Sequence, residues 1–181
     1  MTQKTNIARA IFAGVLENKK EKNGSLKITI KVGEQKFFIS VWDEELIKRF
    51  ANYNEGQFVK VECNIKNNDY ERDGEKVYSF DFNAINVCYS SSKPYAKVKL
   101  VGRMTKEVEI KHFDAISEDF AIGTIAANTS SKNTTFVNFL HRDFNENIGV
   151  LTAKGLLVAA TGMITVSKNG YTFYLNEIEE I

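Results

Sequence analysis

The residues with most chemical potential lie in Phe37-Phe38-Ile39-Ser40-Val41-Trp42 and in the polar stretch Lys66 to Lys76. In the first, Phe37, Ile39 and Val41 alternate with Phe38, Ser40 and Trp42. A period of two is a strand signal, so one face is apolar throughout and the other carries two aromatic rings. Exposed rings cost solvation unless something covers them. Two covers are open for Trp42: packing under a helix or at a domain interface, or stacking of nucleobases, worth about 1–3 kcal/mol per base. The same alternatives hold for Phe38. The stretch Lys66 to Lys76 holds Asn67, Asn68, Tyr70, Arg72 and Lys76, and suits wrapping around a single strand. Its acids Asp69, Glu71, Asp73 and Glu75 offset those cations, so a solvated hairpin is the alternative. Lys27, Lys31, Lys36 and Lys60 alternate with apolar residues and point outward. Outward lysines are ordinarily solvated surface. Side by side they would make a phosphate track, with counterion release as the driving term.

The second half of the chain offers a parallel set. Val137, Phe139 and His141 are expected on one outward face, with Phe139 and His141 as stacking candidates. Tyr174 points away from the core face of Tyr171, Phe173 and Leu175, and either stacks or sits at the surface. Arg103, Lys132, Arg142 and Lys168 are candidate phosphate ligands. Tyr78, Phe80 and Phe82 have core parity and are expected to pack, and Cys63 continues the buried phase of Val59, Val61 and Ile65.

Catalytic patterns are missing. The chain has no Gly-x-x-x-x-Gly-Lys phosphate loop, no Gly-x-Gly-x-x-Gly, no His-Glu-x-x-His and no Gly-x-Ser-x-Gly. His112 and His141 lack nearby ligand partners, so neither a metal nor a cofactor is expected. The sequence reads as a binding protein rather than an enzyme.

Those residues need elements to hold them. The 181 residues allow one large domain or two small ones, and 43% apolar composition is enough for a core. A net charge of +1 argues against a histone-like polycation, but not against a local basic stripe. The start Met1-Thr2-Gln3-Lys4 has no apolar stretch, no run approaches membrane-spanning length, and the only cysteines are Cys63 and Cys88. The default reading is a reduced, cytoplasmic protein.

The single proline, Pro94, follows the only Ser-rich stretch, so residues 88–94 read as a linker between domains at 1–87 and 95–181. The two halves look like copies. Phe37 to Trp42 overlay Phe136 to His141 and, without a gap, Gly56 falls on Gly155. With six extra residues allowed in the first copy, Tyr78 to Phe82 meet Tyr171 to Leu175. Ala13-Gly14-Val15 meets Val101-Gly102-Arg103. A period this long is a duplicated domain, not a solenoid.

In the first copy the patterning predicts strands over Ala10 to Glu17, Leu26 to Val32, Lys36 to Trp42, Gln57 to Ile65 and Val77 to Val87. It predicts a hairpin turn at Asp73-Gly74 and a helix over Glu44 to Tyr53, N-capped by Asp43. In the second copy Gly149 weakens the equivalent helix, Asp143 to Thr152, to a short or broken one. Five strands with a helix between the third and fourth is the order of an OB-fold, a partly open Greek-key barrel. The expected class is therefore all-β, with two tandem OB-fold barrels.

The second copy resembles bacterial single-stranded-DNA-binding proteins. The matching segments are Lys99 to Met104, Ala121 to Ala126, Thr134 to Leu140 and Lys154 to Val158, an ordered set that spans most of residues 97–180. The first copy shows the resemblance more faintly, through Gly14, the third strand and its helix, and Gly56. The resemblance implies single-stranded DNA as partner, coated with little sequence preference. It implies stacking at Trp42 and Tyr70 in the first copy and at His141 in the second, where the hairpin aromatic is lost near Asn169. The first barrel should therefore be the stronger platform. The family works with four barrels, so two chains would pair as a homodimer. Its acidic C-terminal tip has no match in Asn176 to Ile181, which puts tail-borne partner recruitment in doubt. The expected setting is replication, recombination or repair of a bacterial, plasmid or phage genome; the many Asn, Lys and Ile fit AT-rich coding. The rival readings are an OB-fold interaction scaffold in a phage or mobile-element assembly, and a single-stranded-RNA-binding module.

Overall fold

The computed structural model describes residues 6–130, 133–142, 144, 151, 153–168 and 170–181. The fold is all-β, with one short helix assigned among those residues. It divides into two compact units. The first is Arg9–Lys97 together with Thr165–Tyr171, and the second is built on Val98–Ile164 and Thr172–Ile181.

In the first unit the strands are β1 (Ile7–Lys22), β2 (Ser25–Val32), β3 (Gln35–Val41), β4 (Phe58–Asn67), β5 (Tyr70–Arg72), β6 (Glu75–Val77) and β7 (Phe80–Tyr89). β1 pairs antiparallel with β2 through its C-terminal half and with β4 through its N-terminal half. β2 pairs with β3, β4 with β7, and a parallel pairing of β3 with β7 completes a ring. β1 is long because one strand serves both neighbours, and a bulge between Leu16 and Asn18 lets it bend between them. Gly14 lies two residues before that bulge, and a Cβ on it would come within 2.2 Å of the Lys31 carbonyl oxygen. The β1–β2 turn is Asn23-Gly24, at φ 51° and 72°. Asp73-Gly74 does the same for β5–β6 at 53° and 80°, the left-handed pair that a tight hairpin needs.

Helix α1 (Glu44–Phe50) follows β3. The Asp43 carboxylate accepts from the Leu46 N–H at 2.8 Å, which fixes the N-terminus, and Leu46 and Phe50 are buried. The helix stops short of Tyr53. The N–H groups of Ala51, Asn52 and Tyr53 bond to carbonyls three residues back, a tightened last turn. The Lys19 ammonium donates to the Phe50 and Tyr53 carbonyls at 3.1 and 2.6 Å, where a cation also suits the helix dipole. Inside the ring, Phe12 packs on Phe37 at 4.6 Å and edge-on to Phe82 at 4.9 Å. Cys63 is fully buried on β4, and burial pushes its thiol well up, with the Glu62 charge adding to the effect.

In the second unit the strands are β8 (Tyr95–Met104), β9 (Glu109–Phe113), β10 (Glu118–Ser130), β11 (Asn133–His141), β12 (Leu157–Ser167) and β13 (Gly170–Glu180). β8 neighbours β10 and β12, β10 pairs with β11, β11 with β13 in parallel, and β13 with β12, again a ring. A Cβ on Gly102 would meet the Ala126 carbonyl oxygen at 2.4 Å, as one on Gly14 meets Lys31. The Gly56 N–H donates to the Leu16 carbonyl at 2.8 Å, and the Gly155 N–H to the Met104 carbonyl at 2.8 Å. β7 runs to Tyr89 and β8 begins at Tyr95, so the connection is 90–94. The second helix expected over 143–152 falls largely outside the described residues.

These shared contacts correct the overlay. Lys31 and Ala126 hold the same place beside their glycines, and they pair with Lys36 and Phe136 respectively. Phe136 therefore stands where Lys36 does, not where Phe37 does, and Trp42 matches Arg142 rather than His141. The second unit has one residue fewer between this strand and Gly155. A slip of one residue turns every side chain of a strand to the opposite face.

Candidate nucleic-acid interface

The outward face of the first unit is built by cross-strand pairing. Lys20 of β1 lies opposite Lys27 of β2, and Lys27 opposite Ser40 of β3. Asn18, Thr29 and Phe38 form the neighbouring row. Lys27 Nζ donates to Ser40 Oγ at 2.6 Å and lies 4.8 Å from the Trp42 ring centroid. Trp42, just past the end of β3, is 57% exposed, and its indole N–H donates to Asn83 Oδ1 of β7 at 3.1 Å. Phe38 is 65% exposed. A groove of about 790 Å³ runs along this face, lined by Lys20, Lys22, Lys27, Thr29, Phe38, Ser40, Asp81 and Tyr171 among others.

Tyr171, expected in a core, is half-buried in this unit. Its ring stacks on Phe37 at 5.8 Å and meets Phe82 edge-on at 4.7 Å, and its hydroxyl accepts from the Phe38 N–H at 3.4 Å. Burial raises the Tyr171 hydroxyl above its ordinary value, the Phe38 N–H opposes this, and the Asp81 charge reinforces it.

A second groove, of about 690 Å³, is lined by Tyr70, Arg72, Lys76, Tyr78 and Lys168, and Ser79 lines both grooves. Tyr70 is 49% exposed. Tyr78 is exposed too, against expectation, because the chain breaks between β6 and β7 and the buried phase restarts at Phe80. Lys76 Nζ sits 4.9 Å from the Tyr78 ring and 3.4 Å from Asp69. Arg72 lies 3.7 Å from Asp73. The structure thus brings Lys168 to Tyr70 and Arg72, residues that the sequence assigned to different copies.

Other expected phosphate ligands lie elsewhere. Lys31 is 3.8 Å from Glu34, and Lys36 is 2.9 Å from Glu17. Lys60 is exposed on β4, between Ala13 of β1 and Cys88 of β7, and lines neither groove. A first strand ending at Glu17, as the patterning predicts, leaves out Lys20 and Lys22, whereas β1 runs on to Lys22. The usable signal was the run Lys19-Lys20-Glu21-Lys22 leading into an Asn-Gly turn.

In the second unit the expected outward face points inward. Thr135, Val137, Phe139 and His141 are buried, while Phe136 is 50% exposed and Asn138 faces out. Phe139 and His141 are core residues, not stacking surfaces, for the reason of register given above. His141 Nδ1 donates to the Leu175 carbonyl at 2.8 Å. Arg103 donates to the Gly155 carbonyl at 2.7 Å. Arg142 pairs with Glu118 at 2.6 Å and lies 5.7 Å from the Phe120 ring. Tyr174 is half-buried, edge-on to Phe120 at 6.0 Å. Lys132 lies outside the described residues. His112 Nδ1 lies 2.7 Å from the Asp119 carboxylate. Among the described residues no three His, Cys, Asp or Glu side chains are grouped to hold a metal, and no helix is long and apolar enough to cross a membrane.

No protein-family model matches this chain. No curated protein matches it in sequence. Solved structures do match. The single-stranded DNA binding protein from Thermus aquaticus is similar at a TM-score of 0.75 and 15% identity, over 98% of this chain and 94% of that one. A deletion mutant of that protein gives 0.69 at 16% identity, over 98% and 95%. At such identity the likeness is one of fold: this all-β chain folds as the Thermus aquaticus protein does.

Proposed function

We propose that this chain binds and coats single-stranded DNA through two tandem OB barrels joined through the 90–94 connection, and that the first barrel carries the main stacking platform. The observation that carries this reading is the groove of the first unit. It sets the exposed ring of Phe38 beside Lys20, Lys22 and Lys27, and Lys27 also lies against the exposed ring of Trp42 at the groove's margin, the pairing of π-faces with a cationic track that single strands require. The likeness in fold to a single-stranded DNA binding protein supports it. Bases stack on Trp42, Phe38 and Tyr70, and phosphates pass Lys20, Lys22, Lys27, Arg72 and Lys168. The protein acts passively, without a cofactor, in replication, recombination or repair of a bacterial, plasmid or phage genome. Two chains pair to supply four barrels.

The lone tryptophan provides the test. Trp42 fluorescence is followed during titration with oligo-dT, oligo-U and duplex DNA at two salt concentrations. Quenching by oligo-dT that weakens with salt, without quenching by duplex, is the expected result. Stronger response to oligo-U would move the assignment to RNA. No binding to any of the three would overturn the reading in favour of a protein partner.

A further inference from the structure

A carboxylate stands in the basic groove. Asp81, on β7, lines it together with Lys27, Phe38, Ser40 and Tyr171. The lysines come from β1 and β2, whereas Asp81 comes from the strand on the far side of β3. Asp81 is half-buried, lies opposite Lys66 in the β4–β7 ladder, and accepts from Asn68 Nδ2 at 3.2 Å. Its charge reaches the Tyr171 hydroxyl, which itself bonds the backbone of Phe38. The acid and the stacking ring therefore line one groove.

A polyanion cannot run its phosphates past this wall without repulsion. A strand seated here would instead turn its phosphates toward Lys20, Lys22 and Lys27, lay a base over Phe38, and point the edge of that base toward Asp81. An ionised carboxylate accepts only, and has two oxygens to do it. Guanine presents two adjacent donors, N1–H and the N2 amine. Thymine and uracil present one N–H between two carbonyl oxygens that would face the carboxylate. Adenine and cytosine present one amine beside a ring-nitrogen acceptor.

We propose that Asp81 reads the edge of the base stacked on Phe38 and favours guanine there over thymine or uracil. The inference deepens the single-strand reading and rests on it. The groove would then impose a base preference on otherwise backbone-driven coating.

The test uses the full chain and a labelled dT oligomer carrying isolated guanines, which cannot form quadruplexes, with fluorescence anisotropy as readout. The comparison strands carry thymine or inosine at those positions; inosine keeps N1–H and lacks the N2 amine. The guanine strand should bind about tenfold more tightly than the all-thymine strand, with inosine in between. Asp81→Asn should abolish the order. Equal affinity of the native chain for all three strands, with binding intact, would overturn the base-reading role alone. A uniform gain in Asp81→Asn for every strand, without loss of preference, would reduce Asp81 to simple repulsion and also overturn it. Absence of binding to all three strands would overturn the single-strand reading, and this inference with it.

Discussion

Lys27 Nζ lies 4.8 Å from the centroid of the Trp42 ring while its hydrogen bond to Ser40 Oγ, at 2.6 Å, holds it in place. The ammonium is thus shared between a π-face and the strand that a phosphate would follow. A base arriving on Trp42 competes for the same face. Trp42→Ala should weaken single-strand binding by about 1–3 kcal/mol, read by anisotropy of a labelled oligonucleotide because the intrinsic fluorophore is lost. Lys27→Ala should cost less. In the double mutant the two losses should fail to add, as expected of residues in contact.

The lysines separate by place. Lys22→Ala should weaken binding for every sequence and lower the slope of log affinity against log salt by about 1. Lys60→Ala should leave the slope unchanged, because Lys60 lines neither groove. Salt titrations of the two variants side by side would reverse this assignment if Lys60→Ala carried the change.

His141 tests the register. Its Nδ1–H satisfies the Leu175 carbonyl in the core, so His141→Ala should cost about 1–3 kcal/mol of stability by denaturant unfolding. Single-strand affinity of the folded variant should be unaffected. A loss of affinity without loss of stability would return His141 to the surface.

Gly14 and Gly102 should tolerate alanine poorly. The added methyl would face a backbone carbonyl oxygen at 2.2 and 2.4 Å, and backbone is the neighbour least able to move. Each substitution should destabilise by about 1–3 kcal/mol or more, visible as a lowered melting temperature. Gly162, with the Tyr174 carbonyl oxygen 2.0 Å from a built Cβ, should behave alike.

Tyr171 gives stability a dependence on alkaline pH. Its hydroxyl titrates above its ordinary value in the folded chain, so the neutral form is favoured by folding. That contribution is complete below about pH 10 and is lost as pH rises through the raised folded value, since the unfolded chain then binds fewer protons. Unfolding free energies measured from neutral pH to above 10 should fall less steeply for Tyr171→Phe than for the native chain.

How much of this was legible in the sequence depended on what each residue answers to. Strand alternation in Phe37 to Trp42 fixed the buried and exposed faces correctly, because burial of one face is a local rule. Asp43 announced its cap by type and position. The second strand of that kind, Phe136 to His141, buries the face opposite to the expected one. Its alternating set Thr135, Val137, Phe139 and His141 contains two polar residues, so hydrophobicity alone could not choose the phase, and an ungapped overlay chose wrongly. Lys20 and Lys22 were hidden by a strand longer than its apolar stretch, held by pairing with β2 rather than by its own composition. Tyr78 was misplaced by a break in a strand that its aromatic parity concealed. The gathering of Tyr171 and Lys168 with the first unit is tertiary and leaves no local trace.

The ring of the first unit closes through its shortest ladder, where β3 and β7 pair in parallel at Ile39–Phe82 and Ser40–Asn83. Phe38, Ser40 and Trp42 stand on one lip of that seam, and Asp81 and Asn83 on the other. The Trp42–Asn83 hydrogen bond is a clasp across it. A ligand seated in the groove would grip both lips and so oppose the opening most easily reached by thermal motion. Filling of the groove and closure of the ring would then be one equilibrium, and amide protons along β3 should exchange more slowly when the groove is filled.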